Sequence, residues 1–165
     1  MIVFDASTLI LLARIDVLDL FLSSLGDKVV IPEHVGLEVT TAGKEESQTI
    51  RRHIEDKTIT VSRVKNAAQV KKLMEDFNID SGEAEALTLA LEKKAKVVAT
   101  DDRNAIRTCK ILKLDFITAI AVLVRAVEKG ALAKDEGIIK LRKLQTIGRY
   151  SKAIIEDAAR QIQGG

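Results

Sequence analysis

Strand-like and helix-like segments alternate along the 165 residues. That alternation predicts an α/β fold with three α/β/α layers around a central, mostly parallel sheet. Three observations carry the prediction. Ile2–Phe4, Lys28–Ile31 and Lys96–Thr100 are short apolar or β-branched runs, the mark of strands buried on both faces. Segments long enough to be crossover helices separate them, as parallel neighbours require. Turn and cap residues punctuate the borders.

Taken in order, Ile2–Phe4 is a strand ended by Asp5, and Ser7 is expected to cap the helix that follows, with Leu9, Ile10, Leu12 and Ala13 facing inward. Val17–Leu25 is a second helix, stopped by Gly26. Lys28–Ile31 is the next strand, and Pro32 suits the first turn of a helix carrying Val35, Glu38 and Val39. Gly43 breaks that helix, and a polar one runs from Glu45 to Ile54. Thr58–Val64 alternates as a strand does. Ala67–Phe77 is helical, Asn78–Gly82 turns, and Glu83–Lys94 is a strong helix capped by Asp80 or Ser81. After Lys96–Thr100 come a helix over Arg103–Lys110, a strand over Leu114–Ile117, and amphipathic helices over Ala119–Lys129, Lys134–Leu144 and Ser151–Ile162. The expectation is a single domain over 1–165, with the helices of about 134–162 as a C-terminal extension.

Composition narrows the chemistry. Hydrophobic residues make up 47% and charged residues 30%, which suits a globular fold and argues against disorder. Aromatics are only 3%, so base stacking on exposed rings is not the expected grip on a nucleic acid. The net charge of +2 says nothing about partners. Cys109 is the one cysteine, which excludes an internal disulfide and a cysteine-based zinc site; it reads as core. His34 and His53 lie far apart, so a metal site would be made of oxygen ligands. The apolar start has no basic leader and holds Asp5 inside it, and no run of 18 apolar residues exists, so the expected compartment is the cytoplasm, with no membrane contact.

Parallel strands joined by right-handed crossovers put their carboxyl ends on one sheet edge, where ligands bind. The acids fall there. Asp5 ends the first strand, Asp101 and Asp102 end another, Glu38 lies one to two turns into the helix after the second strand, and Glu85 is in the first turn of the helix before the Asp101 strand. Singly, each has an ordinary explanation as a turn residue, a cap or a first-turn acid. Together they form a set of carboxylates that repel unless a cation neutralises them. With no His or Cys, that set favours Mg²⁺ or Mn²⁺ over zinc.

Five stretches carry a resemblance. IVFDASTLI (Ile2–Ile10), VIPEHVGLEV (Val30–Val39), SGEAEALTLALE (Ser81–Glu92), VVATDDR (Val97–Arg103) and ITAIAVLVRAVEKG (Ile117–Gly130) are similar, in order and spacing, to segments of the PIN domain. This nuclease fold often serves as the toxin of toxin–antitoxin pairs, and the last stretch resembles a subgroup of uncharacterised PIN-like proteins. The resemblance implies a metal-dependent ribonuclease with RNA as substrate, an antitoxin protein as partner, and a homodimer. It implies catalytic acids at Asp5, Glu38, Glu85 and Asp102, and metal ligation by Asp5, Glu85, Asp101 and Asp102. Asp5 would be the central ligand and Glu38 would bind through water. Ser7, Thr100 and Glu83 would form the supporting shell. The family's third acid is usually Asp; here it is Glu85, with Glu83 two residues earlier on a different helix face, so one of the two is the expected ligand and Glu85 is favoured. Asp101 and Asp102 stay open in the same way: either could take the metal while the other caps the next helix.

Arg103 and Arg107 leave the site on one helix and are the candidate substrate contacts. Lys71 and Lys72, the Lys93–Lys96 cluster, and Arg149 with Lys152 more often mean solvated faces. Rival enzyme classes fit less well. A receiver domain needs an acid ending the Thr58–Val64 strand, a haloacid-dehalogenase-like phosphatase needs an acid where Ser7 stands, and a nucleotide-binding module needs a Gly-rich loop. A catalytically idle PIN-like binding or scaffold protein is the alternative from a different class.

Overall fold

The computed structural model describes residues 1–41 and 43–164. Five short strands form the sheet: β1 (Ile2–Phe4), β2 (Val29–Pro32), β3 (Ile59–Ser62), β4 (Val97–Ala99) and β5 (Asp115–Ile117). All pairings are parallel, in the order β3-β2-β1-β4-β5. In register, Val3 pairs with Val30 on one side and Val98 on the other. The sequence distinguishes centre from edge. β1 and β2 are buried along their whole length, whereas β3 is fully buried only at Ile59 and β5 is mostly exposed.

The helices among the described residues are α1 (Ala6–Arg14), α2 (Leu18–Ser24), α3 (Glu33–Thr41), α4 (Glu45–Glu55), α5 (Ala67–Phe77), α6 (Ser81–Lys93), α7 (Arg103–Leu112), α8 (Ala119–Glu128), α9 (Lys134–Ile147) and α10 (Lys152–Gly164). Successive side chains of a strand point to opposite faces. Ile2 and Phe4 therefore join Leu9, Leu12, Val35, Leu123, Leu141 and Ile155 in one core under α1–α4 and α8–α10. Val3, Val30 and Val98 face the second core, with Leu73, Leu87, Ala105 and Cys109 from α5–α7. These two cores and the sheet between them make the expected α/β/α sandwich. Helices α9 and α10 contribute Leu141, Leu144, Ile155 and Ile162 to the first core.

Gly137 sits where α9 crosses α8, and a Cβ there would stand 2.5 Å from Val127 Cγ2 and 3.4 Å from Ile162 Cγ2. Ala gains about 1 kcal/mol of helix propensity over Gly, but overpacking a core costs about 1–3 kcal/mol. Because Val127 is β-branched and buried, it has little room to yield. Gly137→Ala is expected to lower the urea midpoint by an amount equivalent to about 1–2 kcal/mol. An unchanged midpoint would mean that α8 and α9 spread freely.

The strand order positions the site. From β1 the chain moves outward to β2 and β3, then crosses back over through α5 and α6 to β4 on the other side of β1. The direction of winding reverses between β1 and β4, and the carboxyl ends of those two strands border the crevice that such a switch opens. Among the described residues, no helix is long and apolar enough to cross a membrane.

Candidate acidic site at the strand switch

Asp5 follows β1 and Thr100–Asp102 follow β4, so the switch brings them together. The Asp5 N–H donates to the Ala99 carbonyl at 3.0 Å, continuing the β1–β4 ladder into the loop. The Asp5 side chain is 2% exposed. Its Oδ1 accepts from the Ser7 hydroxyl at 2.8 Å and the Thr8 N–H at 3.2 Å, and its Oδ2 accepts from the Thr100 hydroxyl. Asp5 is therefore the N-cap of α1. Ser7 was expected there, but it lies inside the first turn, whereas a cap must reach the N–H three residues on. Ile10, expected inside, is only partly buried. Burial pushes the Asp5 carboxyl from 3.8 up to about 7, against the pull of its three donors.

Asp102 caps α7 in the same way, its Oδ2 accepting from the Ala105 N–H at 2.8 Å. Its Oδ1 has no protein donor among the described residues. Thr100 joins the two acids, donating to Asp5 and accepting from the Asp102 N–H at 3.2 Å. Asp101 is a hub instead. Its Oδ1 accepts from the Thr8 hydroxyl at 2.6 Å and the Ala119 N–H at 3.0 Å, and its Oδ2 accepts from the Tyr150 hydroxyl. One carboxylate thus ties together β4, α1, the start of α8 and the turn between α9 and α10. Burial, then the charge of Asp101, pushes the Tyr150 hydroxyl well above its usual value.

The two glutamates of α6 part company. Glu83 closes a capping box with Asp80: its Oε2 accepts from the Asp80 N–H at 2.9 Å, and Asp80 Oδ1 accepts from the Glu83 N–H at 2.8 Å. Burial raises the Glu83 carboxyl to about 7, and the charges of Asp80, Asp102 and Asp5 add to the rise against the hydrogen bond from Asp80. Glu83 therefore belongs to the Asp5–Asp102 cluster. Glu85 turns toward α3, where its Oε2 accepts from the His34 N–H at 3.3 Å. Glu38 is exposed on the same side, with Oε2 3.4 Å from the point a Cβ on Gly82 would occupy. His34 Nε2 lies 3.3 Å from Ser81 Oγ. The structure thus assembles Asp5, Glu83, Asp101, Asp102, Ser7 and Thr100 at one place and sets Glu38 and Glu85 on the α3 side of α6.

A cleft of about 320 Å³ opens over the assembled acids, lined by Ser7, Glu83, Asp101 and Asp102 with Arg14 and Arg149. The amino ends of α1, α6, α7 and α8 all meet carboxylates of this group. Their dipoles offset part of the repulsion. No group of three or more His, Cys, Asp or Glu among the described residues stands ready-made to hold a metal ion. The donors still fit a hard cation. They are all oxygen, two of them are raised to about 7, chiefly by burial, and Mg²⁺ commonly needs only one or two protein carboxylates beside its waters.

Arg103 and Arg107 line a neighbouring groove that shares Asp101 with the cleft. Lys71 and Lys152 make exposed i,i+4 pairs with Glu75 and Glu156. Cys109 is buried core, its thiol raised by burial to about 11. Sequence reasoning missed Thr8 and Tyr150. Thr8 had a local signal, since it follows a capping Asp by three residues. Tyr150 reaches Asp101 across 49 positions and had none.

Compared with known proteins, the chain matches a family model described as a PIN domain over residues 1–163. No curated protein and no solved structure matches it.

Proposed function

The chain belongs to the PIN-domain family, a nuclease-type fold, and on that footing we propose that it is a Mg²⁺- or Mn²⁺-dependent endoribonuclease that hydrolyses phosphodiester bonds of RNA. One observation carries the reading: Glu83 and Asp102 line one cleft at the strand switch, Asp5 lies buried beside them and is joined to Asp102 through Thr100, and Asp5 and Glu83 are raised to about 7, chiefly by burial and further by neighbouring acids. Carboxylates in that state favour a divalent cation as their neutraliser. Asp5, Glu83 and Asp102 are the proposed ligands, and Asp102 Oδ1 has no protein donor among the described residues. A divalent ion bound there supplies an activated water and charge stabilisation at the scissile phosphate. Ser7 and Thr100 hold the Asp5 carboxylate in one orientation, and Asp101 fixes the walls of the cleft. Glu85 accepts from the His34 N–H and so supports the placing of α3, while Glu38 stays exposed on α3 beside Gly82. The reading extends to the toxin half of a toxin–antitoxin pair, with an antitoxin protein and a second copy of the chain as partners.

The test is a calorimetric Mn²⁺ titration of the wild type, followed by incubation with a mixed single-stranded RNA pool. Saturable binding with metal-dependent cutting is expected. A protein that neither binds Mn²⁺ nor cuts would overturn the reading and favour an idle PIN-like scaffold.

A further inference from the structure

Arg149 stands where two depressions meet. On one side is the acidic cleft. On the other is a groove of about 500 Å³, walled by Arg103, Arg107, Lys110 and Tyr150, that shares Asp101 and Arg149 with it. Arg103, Arg107 and Lys110 are spaced i, i+4, i+7 and so share one face of α7. Seven residues of helix span about 10 Å, so the three cations form a row rather than a point. Arg149 faces them from the turn between α9 and α10. All four are exposed, and among the described residues none is in an ion pair. Lys110 Nζ lies 5.8 Å from the Phe116 ring centre, at the far end of the row.

A row of unpaired cations that begins at a cluster of acids has a polarity. It repels free cations and attracts a polyanion, and it leads that polyanion into the cleft. The acids then exclude the phosphates unless a metal neutralises them. Tyr150 fixes the geometry. Its hydroxyl bond to Asp101 anchors the turn that carries Arg149, so the backbone from which Arg149 projects is fixed at the junction. The groove offers little aromatic surface, so it grips charge more than bases.

We propose that the groove between α7 and the α9–α10 turn is a phosphate track for single-stranded RNA, with Arg149 as the contact that joins it to the acidic cleft and Tyr150 as the residue that positions Arg149. That RNA is the polyanion rests on the ribonuclease reading.

The experiment measures binding of a fluorescein-labelled oligouridylate by anisotropy across a salt series, in EDTA so that nothing is cut. Each lost phosphate contact on a single strand lowers the slope of log K against log salt by about 0.7. Arg149→Ala is expected to lose about 0.7 of slope and Arg107→Ala/Lys110→Ala about 1.4, with weaker binding in both. Lys71→Ala/Lys72→Ala on α5 should leave the slope unchanged. Tyr150→Phe should weaken binding in the wild-type background and add nothing to Arg149→Ala, because it acts through that residue. Wild type that fails to bind, or slopes equal in all variants, would overturn the track. The same preparations are assayed for Mn²⁺-dependent cutting. Binding that follows the expected slopes without cutting would sink the nuclease and leave the track standing; cutting with unchanged slopes would do the reverse.

Discussion

Asp5→Asn is expected to reduce Mn²⁺-dependent RNA cleavage by more than about 100-fold, beyond what losing an outer-shell partner of a metal ligand costs, and at the same time to raise the melting temperature at pH 8. The two effects have one cause. Asp5 is 2% exposed and its carboxyl sits near 7 instead of 3.8. A folded-state value above the unfolded one means that ionisation opposes folding. The penalty is absent below about pH 4, grows as pH rises toward 7, and is constant above it. A rise of about three pH units corresponds to roughly 4 kcal/mol at most. Asn is neutral, keeps an oxygen for the Ser7 hydroxyl and the Thr8 N–H, and asks Thr100 only to turn from donor to acceptor. Some of that bonding will be worse, so a net gain of about 1–3 kcal/mol is the reasonable expectation, at about 2–4 °C per kcal/mol for a chain of this size. The gain should fade at pH 4, where the wild-type carboxyl is protonated in the folded protein. Saturating Mn²⁺ should narrow it at pH 8, because the ion stabilises only the wild type by mass action. Thermal melts at the two pH values, with and without Mn²⁺, check all four corners. A variant less stable than wild type at pH 8 would show that Asp5 is a structural cap whose charge costs nothing, and the case for a strained metal ligand would fall.

The sequence carried the sheet's centre and the main acids, for a local reason. A parallel strand buried on both faces must be apolar throughout, and Ile2–Phe4 and Val97–Ala99 are. An acid directly after such a run can only be at the strand's carboxyl end. Asp5, Asp101 and Asp102 were therefore legible. Strand order was not, because parallel pairing is decided by packing between segments tens of residues apart. The cap of α1 was misread because Asp5 and Ser7 are both good caps two residues apart, and only the reach to Thr8 decides between them. The Asp101 hub had no linear trace. Its donors come from Thr8, Ala119 and Tyr150, which are brought together only by the finished fold.

The phase of α6 is the remaining case, and it yields the second large effect. Glu83 and Glu85 lie on different faces, but the sequence could not say which face meets β1 and β4. An amphipathic stripe would have told. α6 has none, because Gly82, Ala84 and the whole of Ala86–Ala90 are buried. The structure gives the phase by its contacts: Glu83 feels the charges of Asp102 and Asp5, and Glu85 bonds the His34 N–H. Glu83→Gln is therefore expected to lower cleavage by about 100-fold or more and to weaken Mn²⁺ binding, as loss of a direct ligand should. It should not unfold α6, since Gln can still accept from the Asp80 N–H and complete the capping box. Glu85→Gln keeps its acceptor for His34 and is expected to stay within about tenfold of wild type, the lower range for a residue that only orients others. Measuring kcat and Mn²⁺ affinity in both variants separates the assignments. The opposite pattern, with Glu85→Gln inactive and Glu83→Gln near normal, would make Glu85 the ligand and require α6 to present its α3-facing side to the bound ion.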